Sequence, residues 1–125
     1  MYIITWWVII HIYQGGYMII IKSKGYLKDY NKLIKRKHLV KEENRIKDIE
    51  KIINAFNNMQ ELFASPYKNI YNFEQKKENL KEIFTVRINH KLRLVMKPLI
   101  EYPYNYIEIE ELEFINIDDK HYGEG

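Results

Sequence analysis

The hydrophobic residues of this chain change period once along its length, and that change bounds what it can fold into. Leu27, Tyr30, Leu33 and Ile34 recur at helical spacing, and a second, longer stripe follows through Ile46, Ile49, Ile52, Ile53, Phe56, Met59 and Leu62/Phe63. From residue 83 the pattern becomes alternation, in 83–89 (IFTVRIN), 92–96 (LRLVM) and 106–117 (YIEIEELEFINI). Side chains repeat every 3.6 residues on a helix and every second residue on a strand. The sequence therefore predicts helices first and a sheet after them.

The short β-branched run at 19–22 predicts an opening strand, after which Ser23 caps a first helix running through Leu39. A second helix is expected from about Lys41 to Phe63, ended by Ser65-Pro66. The runs 83–89 and 92–96 form a hairpin with its tight turn at His90-Lys91, for which Asn89 is a suitable residue. Residues 99–106 are a loop. In the last strand Ile107, Ile109, Leu112, Phe114 and Ile117 are core candidates whose phase slips at Glu110-Glu111, the mark of a bulge. The expected class is α+β: a first strand, a helical hairpin, then an antiparallel sheet of three to four strands with the helices packed on one face. A length of 125 residues suits one domain, and no repeat, low-complexity tract or linker divides it.

Residues 1–17 stand apart. The stretch 2–13 (YIITWWVIIHIY) is too short to span a bilayer as a helix, and it lacks the basic start and small-residue cleavage site of a signal peptide. Either Gly15-Gly16 turns it back on 17–22 as a hairpin, or it is a leader or start-site artefact. The second reading is preferred: Gln-Gly-Gly-Tyr-Met can be encoded by a purine-rich ribosome-binding sequence just ahead of the Met18 codon. On that reading the working domain is 18–125.

Charge is distributed unevenly. From Lys22 to Lys51 there are eleven Lys/Arg against five Asp/Glu, and from Glu74 to Lys97 seven against three, whereas 105–125 holds seven acids and Lys120 alone among cations. Such a chain approaches a polyanion on one side only. Eleven tyrosines and two tryptophans supply rings for a core, an interface or a stack of bases, and their number does not choose among these. The absence of cysteine excludes disulfides and thiolate chemistry and is easiest to reconcile with the reducing cytoplasm. The four histidines are far apart in sequence, and Glu108, Glu110, Glu111 and Glu113 alternate like a solvated strand face, so no metal site and no cofactor is expected. There is no Gly-rich phosphate loop or nucleophile elbow.

The short first strand, the basic helical hairpin, the strands F-T-V-R-I-N-H-K-L-R-L-V and the ending I-D-D-K-H-Y-G together resemble the HigB-like toxins of the RelE/ParE superfamily, over about Met18 to Gly123. The resemblance implies the toxin of a toxin–antitoxin pair: a metal-independent, ribosome-dependent mRNA endoribonuclease. It further implies that a cognate antitoxin of helix-turn-helix type holds the toxin silent. Arg87 and Arg93 match the family's phosphate-binding strand positions, and Asp119, His121 and Tyr122 its C-terminal cluster. One stretch departs from the pattern. Many members carry His-x-Leu-Lys-Gly before the central hairpin, where this chain has Tyr71-Asn72-Phe73-Glu74-Gln75 followed by Lys76 and Lys77.

Metal-free RNA cleavage needs a group to take the 2′-hydroxyl proton, cations for the phosphorane-like transition state and an acid for the leaving 5′ oxygen. Arg87 and Arg93 suit the phosphate because the guanidinium stays charged and donates bidentately. His121 is the natural acid or base near neutral pH, and Tyr122 can stack on a base or donate its hydroxyl. Lys76, Lys77, His90, Lys91 and Asp119 are the candidates for substrate binding. Each also has a plain reading: solvent-facing strand residues, a turn, a tail. Two rival functions remain open, a ParE-like toxin that inhibits gyrase without catalysis, favoured by the missing family histidine, and an inactive binding module.

Overall fold

In the computed structural model, residues 17–119 are described; the stretch 1–16, with the hairpin-or-leader alternative, lies outside them. The order is β1 (Ile19–Lys22), α1 (Lys24–Ile34), a turn of 3₁₀ helix (Lys37–Leu39), α2 (Val40–Asn54), α3 (Met59–Ala64), α4 (Tyr67–Ile70), β2 (Glu74–Gln75), β3 (Phe84–Arg87), β4 (Arg93–Pro98) and β5 (Glu111–Asp118).

Ser23 caps α1: its Oγ accepts the Tyr26 amide (3.1 Å) and donates to the Ile115 carbonyl (2.9 Å). Gly25 follows because a Cβ there would lie 3.2 Å from the Ile115 carbonyl oxygen. The first helix is shorter than its periodicity suggests. It ends at Ile34, and Arg36 is extended (φ −91°, ψ 107°), because the run Lys35-Arg36-Lys37 has no apolar side to bury and serves as the connector.

The second predicted helix is two. Asn58 takes an extended backbone (φ −158°, ψ 174°) and caps α3 by accepting the Glu61 amide (3.0 Å), while Glu61 reaches back to the Asn57 amide (2.9 Å). This is a close relative of the reciprocal capping box, and the sequence carries its Asn-x-x-Glu signature. The break frees backbone groups for tertiary use: the Phe56 carbonyl accepts the Met18 amide (2.8 Å) and the Met59 amide donates to Ile109 (3.0 Å). The apolar stripe survives it, with Ile46, Ile49, Ile52, Ile53, Met59 and Leu62 all buried.

The sheet has five strands in the order β1-β5-β4-β3-β2. It is mixed, because β1 lies parallel to β5 while the other pairs are antiparallel. The two-residue β2 is too short for any periodicity to announce it. Phe84, Val86, Leu94, Met96, Leu112 and Phe114 share one core cluster with Tyr26, Leu33 and the α2 isoleucines, so the helices cover one face of the sheet.

The hairpin connection is set by Asn89, whose Oδ1 accepts the amides of Lys91 (2.8 Å) and Leu92 (2.7 Å). The expected last strand is shortened at its start, since Tyr106–Glu108 form a 3₁₀ turn capped by Asn105. Ile107 is therefore no core residue; it is 58% exposed, and Tyr106 turns inward in its place. The register irregularity falls opposite Val95/Met96, where Ile115 is the extra residue, rather than at Glu110-Glu111.

Asn58→Ala should lower the unfolding free energy by about 1 kcal/mol. The check is the urea midpoint, which should fall with an unchanged slope.

Candidate functional site

Because the pleat sends alternate residues to opposite faces, the face away from the helices can be read from the register. Two rows cross it. Arg87, Arg93 and Asp118 are successive cross-strand partners on β3, β4 and β5. One step along the same face, Glu74, Thr85, Val95 and Asn116 form the second row.

The two arginines thus stand opposite each other, an arrangement like charges disfavour, and the carboxylate-bearing Asp118 is the register partner of Arg93 on its other side. They are not equivalent. Arg93 is 7% exposed, and its NH1 donates to the carbonyls of Asn89 (2.8 Å) and Leu92 (3.2 Å), so it braces the hairpin turn. Arg87 is exposed, and its backbone is pinned on the other side: its amide donates to the Tyr71 carbonyl (3.1 Å) and its carbonyl accepts Arg45 Nε (3.1 Å). Arg45 in turn lies 3.9 Å over the Tyr71 ring. A third guanidinium is therefore fixed beside the arginine row, a neighbour that helical periodicity does not reveal.

The structure distributes the other candidates around this face. His90 and Lys91 are exposed at the hairpin turn. Lys76 Nζ sits 2.7 Å from Glu74 Oε1 at the β2 edge, and Lys77 beside it is exposed. Asp119 lies on the opposite side, lining a cleft of about 220 Å³ with Asp29, Lys32 and Arg36. His121 and Tyr122 lie outside the described residues. Among the described residues no group of three or more His, Asp or Glu is placed to hold a metal ion. No helix among them is long and apolar enough to cross a membrane.

Three members of the face are not singled out by the sequence. Glu74 is a carboxylate diagonal to Arg87, being in register with Thr85 two residues along β3. Its one signal is its place in the stretch that departs from the family pattern. Thr85 and Asn116 flank Val95, and Thr85 Oγ1 and Asn116 Oδ1 are buried without a hydrogen-bond partner. Nothing in an alternating strand marks such atoms, since their state depends on what surrounds them.

The tyrosines divide by role. Tyr26 belongs to the core, stacked near Tyr30 and edge-on to Phe114. Tyr104 donates to the Glu82 carbonyl (2.9 Å) and Tyr106 to Gln75 Oε1, tying the loop before β5 to the β2–β3 segment. Burial, with the Glu82 carboxylate adding to it, pushes the Tyr104 hydroxyl up to about 12, and burial also raises Tyr106. Both hydroxyls remain donors across the neutral range.

No protein-family model matches the sequence, and no curated protein sequence matches it. Solved structures do match. A YoeB dimer from Staphylococcus aureus superposes with a TM-score of 0.55 at 20% identity, covering 81% of this chain and 94% of that one. The YoeB–YefM toxin–antitoxin heterotetramer from the same organism gives 0.54 at 20% identity, with 81% and 94% covered. A YafQ variant from Escherichia coli gives 0.54 at 16% identity, with 82% and 93% covered. The α+β architecture, with helices on one face of a five-stranded mixed sheet, is that of RelE-like toxins.

Thr85→Val, which replaces the unpartnered hydroxyl by a methyl of similar shape, should leave stability unchanged or raise it by up to about 1 kcal/mol. A fall in the urea midpoint would show that the hydroxyl is satisfied in solution.

Proposed function

We propose that this chain is the toxin of a type II toxin–antitoxin pair and a metal-independent endoribonuclease acting on mRNA at the ribosome. The observation that carries the reading is the sharing of the sheet face away from the described helices by the arginine row, with Arg87 exposed, and the Glu74–Lys76 pair. A phosphodiester lying between the exposed Arg87 and Glu74 meets a guanidinium on one side and a carboxylate on the other, with the buried Arg93 behind.

The roles of Glu74 and the arginines follow from those positions, and those of His121 and Tyr122 from the family resemblance. Glu74 takes the proton of the ribose 2′-hydroxyl, and the freed oxygen attacks the adjoining phosphorus. Arg87 and Arg93 neutralise the charge that grows on the non-bridging oxygens. The bond to the 5′ oxygen breaks, and His121 supplies the proton that this oxygen needs, leaving a 2′,3′-cyclic phosphate. Tyr122 stacks on a neighbouring base. Glu74 in this role answers the loss of the family's pre-hairpin histidine, since the same step needs a base of some kind and a carboxylate is one.

The HigB-like kinship rests on the strand arginines and the D-x-H-Y-G ending. The superfamily reading rests also on the fold shared with YoeB and YafQ. A cognate antitoxin as partner is supported by the solved YoeB–YefM complex, and its helix-turn-helix type rests on the HigB-like resemblance alone. Ribosome and mRNA as partners are supported by the basic surface of the chain, and the cytoplasm as its compartment by the absence of cysteine.

One observation favours the non-catalytic, gyrase-inhibiting alternative: the Arg93 NH1 group is engaged with its own hairpin. The two readings separate experimentally. On induction the wild-type chain should arrest bacterial growth and cut translated messages, scored by primer extension. Glu74→Gln and Arg87→Ala should each slow cleavage by about 100-fold or more while remaining folded. Growth arrest with intact messages would move the assignment to a binding target.

A further inference from the structure

Beside Glu74 and Lys76 a cleft of about 570 Å³ opens between β2 and the loop before β5. Four lysines line it, Lys68, Lys76, Lys77 and Lys81, against two acids, Glu74 and Glu78. Glu74 is already paired with Lys76. Among the described residues Lys68, Lys77 and Lys81 have no carboxylate within ion-pair distance, although Glu82 and Lys97 pair close by (3.5 Å). Lys68 instead lies 5.5 Å over the Phe63 ring. Cations gathered into a concavity with too few acids create a local positive potential that recruits an anion.

The walls add a planar preference. Tyr106 is held by its bond to Gln75 and by ring packing on Phe63 and Phe84 at 5.1 and 5.6 Å. Tyr102, edge-on to Tyr104 at 5.4 Å, leaves 41% of its surface exposed at the rim. A ligand matching both features has a negative group and a flat face, and the volume is that of a small-molecule pocket.

We propose that this cleft is a second nucleotide subsite, taking the phosphate and base of an unpaired RNA nucleotide adjoining the scissile one. The proposal rests on the endoribonuclease reading for its register, because Glu74 and Lys76 line both the cleft and the reactive row. A single strand is required, since a duplex hides the base faces that Tyr102 and Tyr106 would meet. An acidic protein segment would satisfy the lysines as well, but it gives no role to the exposed Tyr102 ring at the rim.

The test is binding of a fluorescein-labelled, fully 2′-O-methylated RNA hexamer, which cannot be cut, followed by anisotropy from about 50 to 200 mM salt. Lys68→Ala combined with Lys81→Ala should reduce the log affinity–log salt slope by about 1.4, because each lysine that neutralises a phosphate of a single strand adds about 0.7 to it. Tyr102→Ala should weaken binding at least about fivefold with an unchanged slope. Wild-type affinity and slope in these variants, with unfolding midpoints unchanged, would overturn the subsite even if the wild type cuts messages. Absence of hexamer binding, or stronger binding of a poly-glutamate peptide that displaces the hexamer, would overturn it too. Binding that shows the expected losses in a chain that cuts nothing would uphold the subsite while the nuclease reading falls.

Discussion

The extra residue at Ile115 fixes which side of the sheet is which. Leu112 and Phe114 point to the core, and strict alternation from there would carry Asn116 and Asp118 inward and Ile117 outward. The bulge reverses that phase. Asn116 and Asp118 reach the face away from the described helices beside Val95 and Arg93, and Ile117 packs on the core opposite Leu94. The same kink presents the Ile115 carbonyl to the Ser23 hydroxyl, while the Ser23 amide donates to Phe114 (3.1 Å). The start of α1 is thereby stitched to β5, and Gly25 allows the close approach. One backbone irregularity thus seats the helices on one face and composes the polar rows on the other.

The polar rows are costly to keep. A buried hydroxyl or carbonyl left without a partner gives up about 1–3 kcal/mol, and a native fold retains few such atoms. Among the described side chains three are in this state, Tyr26 Oη, Thr85 Oγ1 and Asn116 Oδ1, and two of them lie on the candidate site's face. The buried guanidinium of Arg93 is held by the carbonyls of its own turn. Local rules of stability are broken where ligand chemistry is proposed, and the core row behind is filled with apolar side chains as the pattern demands.

The legible parts of this fold are those governed by period. The helical stripe from Ile46 to Leu62 and the alternation of β3 and β4 follow from which residues need burial, so the class and the one-sided packing can be read from the sequence. The break at Asn58 is written in Asn-x-x-Glu but hidden by the uninterrupted stripe, because a cap can be inserted without changing which residues are apolar. The parallel pairing of β1 with β5 joins residues some 90 positions apart, a separation that no local signal encodes. At the site, the arginines are legible as residue types and the hairpin turn as a device for facing them. Glu74 and Arg45 are not, because their place depends on β2 and α2 meeting the same strand from two sides.

The charge map gives the face a direction. The acids of β5 that point outward, Glu111 and Glu113, lie in register with Ile19 and Ile21 of β1, so one margin of the sheet is acidic and apolar. The other margin carries Arg87 and Arg45 and then the lysines of the β2 cleft. A polyanion crossing the face is repelled from the β1–β5 side and drawn toward β3 and β2. Exposed Ile19 and Ile21 are poor company for phosphate and better suited to a protein surface. A polyanion and an apolar surface are therefore favoured at opposite margins of the same face.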